Sequence, residues 1–305
     1  MLPVWTHPVC ALHDPGPGHP ESPKRLAAVL SALEHPELSG RIALRSAPRA
    51  PREALALAHD PALVELVLEP VPEGFRVRLD PDTVLSHHSA EAALRAVGAL
   101  LAAVEEALAG TAPRAFCATR PPGHHATRAQ AMGFCPLNGI AIAALHALRL
   151  GCERVAVVDF DVHHGNGSEA ILSGVPDTLY LSSHQWPLYP GTGLQARVDN
   201  ARNAVLPPGS GSETFRAAWR EVLLPELDAF APRLILVSAG FDAHRLDPLA
   251  DLSLEDADYF WLTRELCRIA ERHGAGRLVS TLEGGYSLSA LADCTRAHLR
   301  ALLGT

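Results

Sequence analysis

Lysine is almost missing from this chain of 305 residues: Lys24 stands alone among 26 basic side chains, and the rest are arginine. The same sequence is rich in Ala, Pro and Leu, as GC-rich codons favour, so the bias needs no functional explanation. Basic residues are outnumbered by 34 acidic ones, the formal charge is −8, and no basic block occurs. Binding to nucleic acid rests on clustered cations that neutralise phosphates, so the composition argues against that class of partner. Long hydrophobic runs are lacking too. The stretch from Ala96 to Val104 comes nearest to the roughly 18 apolar residues of a membrane span, and Glu105 and Glu106 close it. Met1 to His7 has no basic segment followed by an apolar one, so the cytoplasm is the expected location. The six cysteines include no C-x-x-C pair, which argues against a zinc finger and leaves them as buried apolar residues in a reducing compartment. Repeats and low-complexity linkers are absent as well, which predicts one domain spanning 1–305.

What is present is an alternation of apolar runs and longer amphipathic segments. Strands are expected at Leu2–Cys10, Ala115–Thr119, Arg154–Phe160, Thr178–Ser182, Arg233–Ala239 and Arg277–Leu282. Helices are expected at Pro23–His35, Ser89–Leu108, Gly139–Leu150, Glu213–Phe230, Leu254–His273 and Leu288–Leu303. Strands apolar on both faces belong to a parallel sheet covered on both sides, so the fold class is α/β. Ser253 and Asp256 suggest a capping box, and Gly151 and Gly274 suggest helix ends. Ligands bind such sheets at the carboxyl ends of the strands, where Pro-rich connections such as Arg120–Gly123 fall.

Those ends carry chemistry. One apolar strand runs into Asp159-Phe160-Asp161-Val162-His163-His164-Gly165, and strand alternation would turn Asp159, Asp161 and His163 to one side. Another ends in Ser238-Ala239-Gly240-Phe241-Asp242. Asp161, His163 and Asp242 would then form an open Asp₂His set that neutralises a divalent ion and leaves a position for water. Zinc is the expected ion, and iron(II) is the alternative that these ligand types leave open. The pair His124-His125 follows a third strand on a Gly- and Pro-bounded loop and offers two imidazoles, suited to a general base and a charge-holding partner. His87-His88 reads instead as a surface loop or helix start. Tyr286, behind the paired Gly284 and Gly285, would project its hydroxyl over the site.

Six ordered motifs make the chain resemble the histone deacetylase superfamily, in particular its class II branch and bacterial relatives, which include acetylpolyamine amidohydrolases and acetoin-utilisation proteins. They are His19-Pro-Glu-Ser-Pro-Lys-Arg25, Arg120-Pro-Pro-Gly-His-His-Ala126, Gly133-Phe-Cys135, Asp159-Phe-Asp-Val-His-His-Gly165, Ser238-Ala-Gly-Phe-Asp242 and Glu283-Gly-Gly-Tyr286. The resemblance implies an arginase/deacetylase fold and a zinc-dependent amidohydrolase acting on an acylated amine. In such an enzyme His125 activates water, Tyr286 stabilises the oxyanion and an imidazole protonates the leaving amine. It further implies that Asp159 orients His124 and Asn166 orients His125. Asn166 stands where many relatives carry Asp, which should make His125 less basic. Gly133, Phe134 and Tyr189 match the acyl channel, Asp82 a rim carboxylate, and Asp159, Asp161, His163, Ser182 and Ser183 a potassium site. His184 is expected to be a packed loop residue.

An arginase-like ureohydrolase would need a further Asp where Gly165 stands. A non-catalytic acyl-binding relative would be expected to lack the tyrosine or a histidine that this chain keeps. Polyamine-specific relatives carry a carboxylate at the place that Leu249 occupies, so acyl-lysine or another single-amine amide is favoured over acetylpolyamine.

Overall fold

Val, Ile and Leu on both faces of each central run make strands that are stable only when covered on both sides, and they are so covered here. The computed structural model describes residues 1–196 and 198–305. Its strands are β1 (Leu2–Thr6), β2 (Ile42–Ser46), β3 (Arg76–Arg78), β4 (Val84–Ser86), β5 (Arg114–Cys117), β6 (Val155–Asp159), β7 (Thr178–Gln185), β8 (Ala201–Leu206), β9 (Leu234–Ala239) and β10 (Leu278–Leu282). Eight of them form one sheet in the order β2-β1-β5-β10-β9-β6-β7-β8, and every neighbouring pair is parallel. A separate antiparallel hairpin joins β3 and β4. The fold is thus the α/β arrangement expected of the arginase/deacetylase type.

The helices are α1 (Pro23–Leu33), α2 (Arg52–Leu55), α3 (Pro61–Leu68), α4 (Ser89–Ala109), α5 (Gly139–Arg149), α6 (Asn166–Leu172), α7 (Ser212–Ala218), α8 (Leu224–Phe230), α9 (Asp256–Gly274) and α10 (Leu288–Leu303). One face of the sheet is packed by α1, α7, α9 and α10, through residues such as Val29, Phe215, Leu262 and Leu299. The other is packed by α4 and α5, through Leu100, Ile140 and Ala143, with α2 and α3 outside them. Consecutive strands β5 and β6 are separated in the sheet by β10 and β9. This reversal of strand order opens a crevice at the carboxyl ends of the four central strands, the usual ligand position in such sheets.

Several local expectations are corrected. The first strand stops at Thr6, because His7 caps a 3₁₀ turn at Pro8–Ala11 through its Nδ1, 3.2 Å from the Val9 N–H. The expected helix Glu213–Phe230 is divided by a wide π turn at Trp219–Leu223. Pro225 follows that turn and cannot supply the amide an unbroken helix would need. The capping box of α9 is formed by Glu255 and Asp258, not Ser253 and Asp256. Ser253 and Leu254 are held instead in bridges to Gly211 and His244. Gly274 is still helical, and the left-handed positions after it are Ala275 and Gly276. His88 does start a helix, as the N-cap of α4. All six cysteines are buried and free. Among the described residues no helix is long and apolar enough to cross a membrane.

Candidate active site

The metal-ligand candidates lie just past the ends of β6 and β9, not along a strand. β6 ends at Asp159, whose Oδ1 accepts the Asp161 N–H at 3.2 Å, and Asp161 Oδ1 accepts the His163 N–H at 2.9 Å. Two successive side-chain-capped turns therefore direct these residues, and the alternation expected of a strand does not operate there. Asp159 is turned toward His124, while Asp161 and His163 meet Asp242. His163 Nδ1 lies 3.1 Å from both Asp161 Oδ1 and Asp242 Oδ2, and ligand atoms of the three residues lie within 4.8 Å of one another. The remaining carboxylate oxygens are pinned by main-chain N–H groups, Asp161 Oδ2 by Gly284 at 2.8 Å and Asp242 Oδ1 by Val162 at 2.9 Å.

The chemistry of this trio fits a divalent cation. Burial and the neighbouring Asp161 carboxylate push the Asp242 carboxyl up to about 7. At His163 burial opposes charge, yet the two carboxylates outweigh it and raise the imidazole to about 10. Two buried carboxylates on either side of one imidazole thus draw in positive charge. Glycine makes the cradle possible: a Cβ at Gly240 would stand 2.0 Å from Asp161 Oδ2, and one at Gly284 2.0 Å from Asp242 Oδ2.

Two His–acceptor pairs stand beside it. His124 Nδ1 is 3.0 Å from Asp159 Oδ2, and His125 Nδ1 is 2.8 Å from Asn166 Oδ1; the imidazole centroids are 4.0 Å apart. An amide oxygen only accepts, so His125 carries its proton on Nδ1 and its lone pair on Nε2. Burial, with His124 and His163 nearby, holds the pKa of His125 well below the ordinary value. At His124 burial acts the same way, but Asp159 and Asp161 overcome it and hold its pKa well above that value. The two rings are therefore shifted in opposite directions, His125 toward its neutral form and His124 toward its cationic one.

A cavity of about 240 Å³ reaches these groups. His124, His125, His163 and Tyr286 line it together with Asp82, Gly133, Phe134, Tyr189 and Leu249, so every channel residue expected from the sequence is present. Leu188 also lines it and was not foreseen. Phe134 has φ +66°. Its N–H bonds Thr83 Oγ1 at 3.1 Å, the Gly133 N–H bonds Asp82 Oδ1 at 3.2 Å, and His19 meets its ring edge to face. Asp82 is thus partly engaged in holding the channel wall.

Other supports lay unassigned, most of them inside the motifs. Glu283 accepts from the N–H groups of Gly123 and His124 and from the Ser238 hydroxyl, tying the histidine loop to β9 and β10. Glu21 pairs with both Arg25 and Arg120 in full burial, and Arg25 also reaches the Gly285 carbonyl at 2.6 Å and lies 4.8 Å from the centroid of the Tyr286 ring. Asp247 Oδ2 accepts the Tyr286 N–H at 2.7 Å. The available signal was a charged residue in the midst of an apolar, Pro- and Gly-rich motif.

The residues expected around potassium divide. Ser182 pairs with Asp159 in the sheet register, whereas the Ser183 hydroxyl accepts from Trp219 Nε1 at 3.0 Å and so faces the opposite side. His184 lies on β7, not in a loop. It is fully buried, with its Nδ1 2.9 Å from Ser182 Oγ and its ring 4.7 Å from that of His164.

Fold and centre together define an α/β domain of the arginase/deacetylase type with an open carboxylate–imidazole centre at its switch point. A family model described as the histone deacetylase domain matches residues 19–302. The histone deacetylase-like amidohydrolase of Pseudomonas aeruginosa is 39% identical over 313 residues, which cover 99% of this chain and 81% of that protein. The polyamine deacetylase HDAC10 of Mus musculus is 35% identical over 328 residues, which cover 99% of this chain but 46% of the mouse protein. Among solved structures, the HDA15 HD domain superposes with a TM-score of 0.92 at 32% identity, covering 99% of this chain and 88% of that one. The chain belongs to the histone deacetylase family and is a hydrolase of the deacetylase type.

Proposed function

We propose that the protein is a zinc-dependent amidohydrolase that releases a short acyl group from an amine, with an Nε-acyl-lysine side chain as its substrate class. The observation that carries this reading is that an Asp₂His trio presents His163 to the same cavity that Tyr286 and two histidines with oppositely shifted pKa values line. Asp161, His163 and Asp242 would hold the ion, which when bound supplies Lewis acidity that polarises a carbonyl and acidifies water.

His125, neutral with its lone pair on Nε2, accepts the proton of the attacking water. His124, kept cationic by Asp159, holds positive charge beside the reacting carbonyl, and the imidazole pair returns a proton to the leaving amine. Such acid–base help contributes about 10²–10⁴ in rate. Burial raises the Tyr286 hydroxyl well above its ordinary pKa, so it remains a donor for the developing oxyanion, a role typically worth about 10²–10³. Phe134 and Tyr189 flank the acyl-bearing chain. A potassium ion near the trio would draw on Asp159, Asp161, His163, Ser182 and Ser183, the last not through its hydroxyl. The cytoplasm is the proposed location.

Acetylpolyamine hydrolysis is the second reading, supported by the similarity to the mouse polyamine deacetylase HDAC10. Against it stands the apolar Leu249 in the cavity wall, which offers no partner to a second ammonium. Zinc-loaded protein assayed on acyl-lysine peptides, N-acetylspermidine and N-acetylputrescine separates the two. Higher kcat/KM on acetyl-lysine supports the first reading, and higher kcat/KM on the polyamines overturns it.

A further inference from the structure

The Asp159 carboxylate has a partner beyond His124. Tyr180 lies on β7, opposite Val157 of β6 in the sheet register, and is 1% exposed. Alternation puts its side chain on the face that Asp159, two residues beyond Val157, also presents. The ring rises along the sheet until its hydroxyl donates to Asp159 Oδ2 at 3.1 Å, the oxygen that His124 Nδ1 meets at 3.0 Å. Asp159 Oδ1 takes the Asp161 N–H at 3.2 Å. Three donors from three segments therefore fix the plane of one carboxylate. The packing around the contact is close: a Cβ at Gly165 would stand 2.1 Å from Asp159 Oδ2 and 2.6 Å from the Tyr180 hydroxyl.

We propose that Tyr180 is a positioning residue of the reaction, which sets the orientation of Asp159 and through it that of His124. The proposal rests on the amidohydrolase reading above. Tyr180 is not among the residues that line the cavity, so its hydroxyl acts only through Asp159. A buried carboxylate that loses one of its three donors is held less firmly, and the imidazole it orients is fixed less firmly in turn. The loss should fall on turnover, not on substrate affinity.

The test is Tyr180→Phe, which keeps the ring and removes one oxygen, in wild-type and Asp159→Asn backgrounds. In the wild-type background kcat should fall about tenfold with KM changed less than about twofold, the order at which one hydrogen bond to a charged group bears on a barrier. Zinc content should be unchanged. In the Asp159→Asn background the same substitution should cost little further, since coupled residues are non-additive. An unaltered kcat, or equal losses in the two backgrounds, overturns the proposal. A readout independent of turnover is the low-field proton NMR signal of His124 Nδ1–H, assigned by its loss in His124→Ala. Tyr180→Phe should move it, and an unmoved signal refutes the contact even if acyl-lysine proves not to be the substrate. Should the variant not fold, fluorotyrosine at position 180 keeps ring and hydroxyl while making the donor more acidic. An unchanged kcat and an unmoved signal there would equally overturn the proposal.

Discussion

A single methyl group at position 240 should dismantle the metal centre without replacing a ligand. Gly240 does not require a left-handed backbone, so alanine is conformationally acceptable there, and the effect reduces to space. The added Cβ would stand 2.0 Å from Asp161 Oδ2, 2.4 Å from its Cγ and 2.6 Å from its Cβ, whereas non-bonded heavy atoms settle near 3.5 Å. The carboxylate must retreat by about 1 Å or more. It has nowhere to go, because Oδ2 is held by the Gly284 N–H at 2.8 Å and Oδ1 by the His163 N–H at 2.9 Å. Metal–ligand distances tolerate only about 0.2 Å. Disturbing even an outer partner of a ligand costs about 10–100-fold in affinity, so displacing a ligand itself should cost at least about 10²-fold, or roughly 2.7 kcal/mol. Gly240→Ala should therefore emerge from dialysis with little zinc by elemental analysis, and a competing chelator should strip it at far lower concentration than wild type. A thermal melt checks that the fold persists. Stoichiometric zinc at wild-type affinity in the folded variant would refute the cradle.

Tyr286→Phe should keep its zinc and its KM while kcat falls about 10²–10³-fold; more than a third of wild-type activity would remove the tyrosine from the oxyanion role. Glu21→Gln takes away the one carboxylate that Arg25, Arg120 and His13 share in full burial. Stranding buried charge in this way costs about 3–5 kcal/mol in denaturant unfolding, and a change below about 1 kcal/mol would contradict that role. Burial holds His59 at about 4 and both His184 and His298 at about 3, below the ordinary 6.5. The unfolded chain therefore binds protons that the folded chain refuses. Their stabilisation is complete above pH 6.5 and is lost as pH falls toward 4 for His59 and toward 3 for His184 and His298, by about 1.4 kcal/mol per pH unit for each histidine. Urea unfolding at pH 7.5 and pH 5.0 measures it, and equal free energies would oppose the assignment.

The central strands were legible because burial on both faces writes an uninterrupted apolar run, and the ligands because each run ends in residues that are costly to bury uncompensated. The edge strands β2 and β8 were not, since they are only partly buried and their patterns are mixed. The break in the expected helix Glu213–Phe230 turned on Pro225, a residue that reads equally as a tolerated first-turn proline. At the site, residue type pointed to Asp161, His163 and Asp242, but the geometry came from side-chain-capped turns and not from strand alternation. Glu283, Arg25, Arg120 and Tyr180 escaped assignment because their roles are contacts between segments far apart in sequence. Tyr180 in particular sits inside an apolar strand, where a tyrosine reads as core until its hydroxyl is placed on Asp159.

The most direct test of the central claim is zinc titrated into chelator-stripped protein while acetate release from an acetyl-lysine peptide is followed. Activity should rise in proportion to added zinc and reach its plateau at one ion per chain, and Asp242→Ala should stay inactive throughout. Full activity in the stripped protein, or wild-type response from Asp242→Ala, would contradict the assignment of Asp161, His163 and Asp242 as the centre of the reaction.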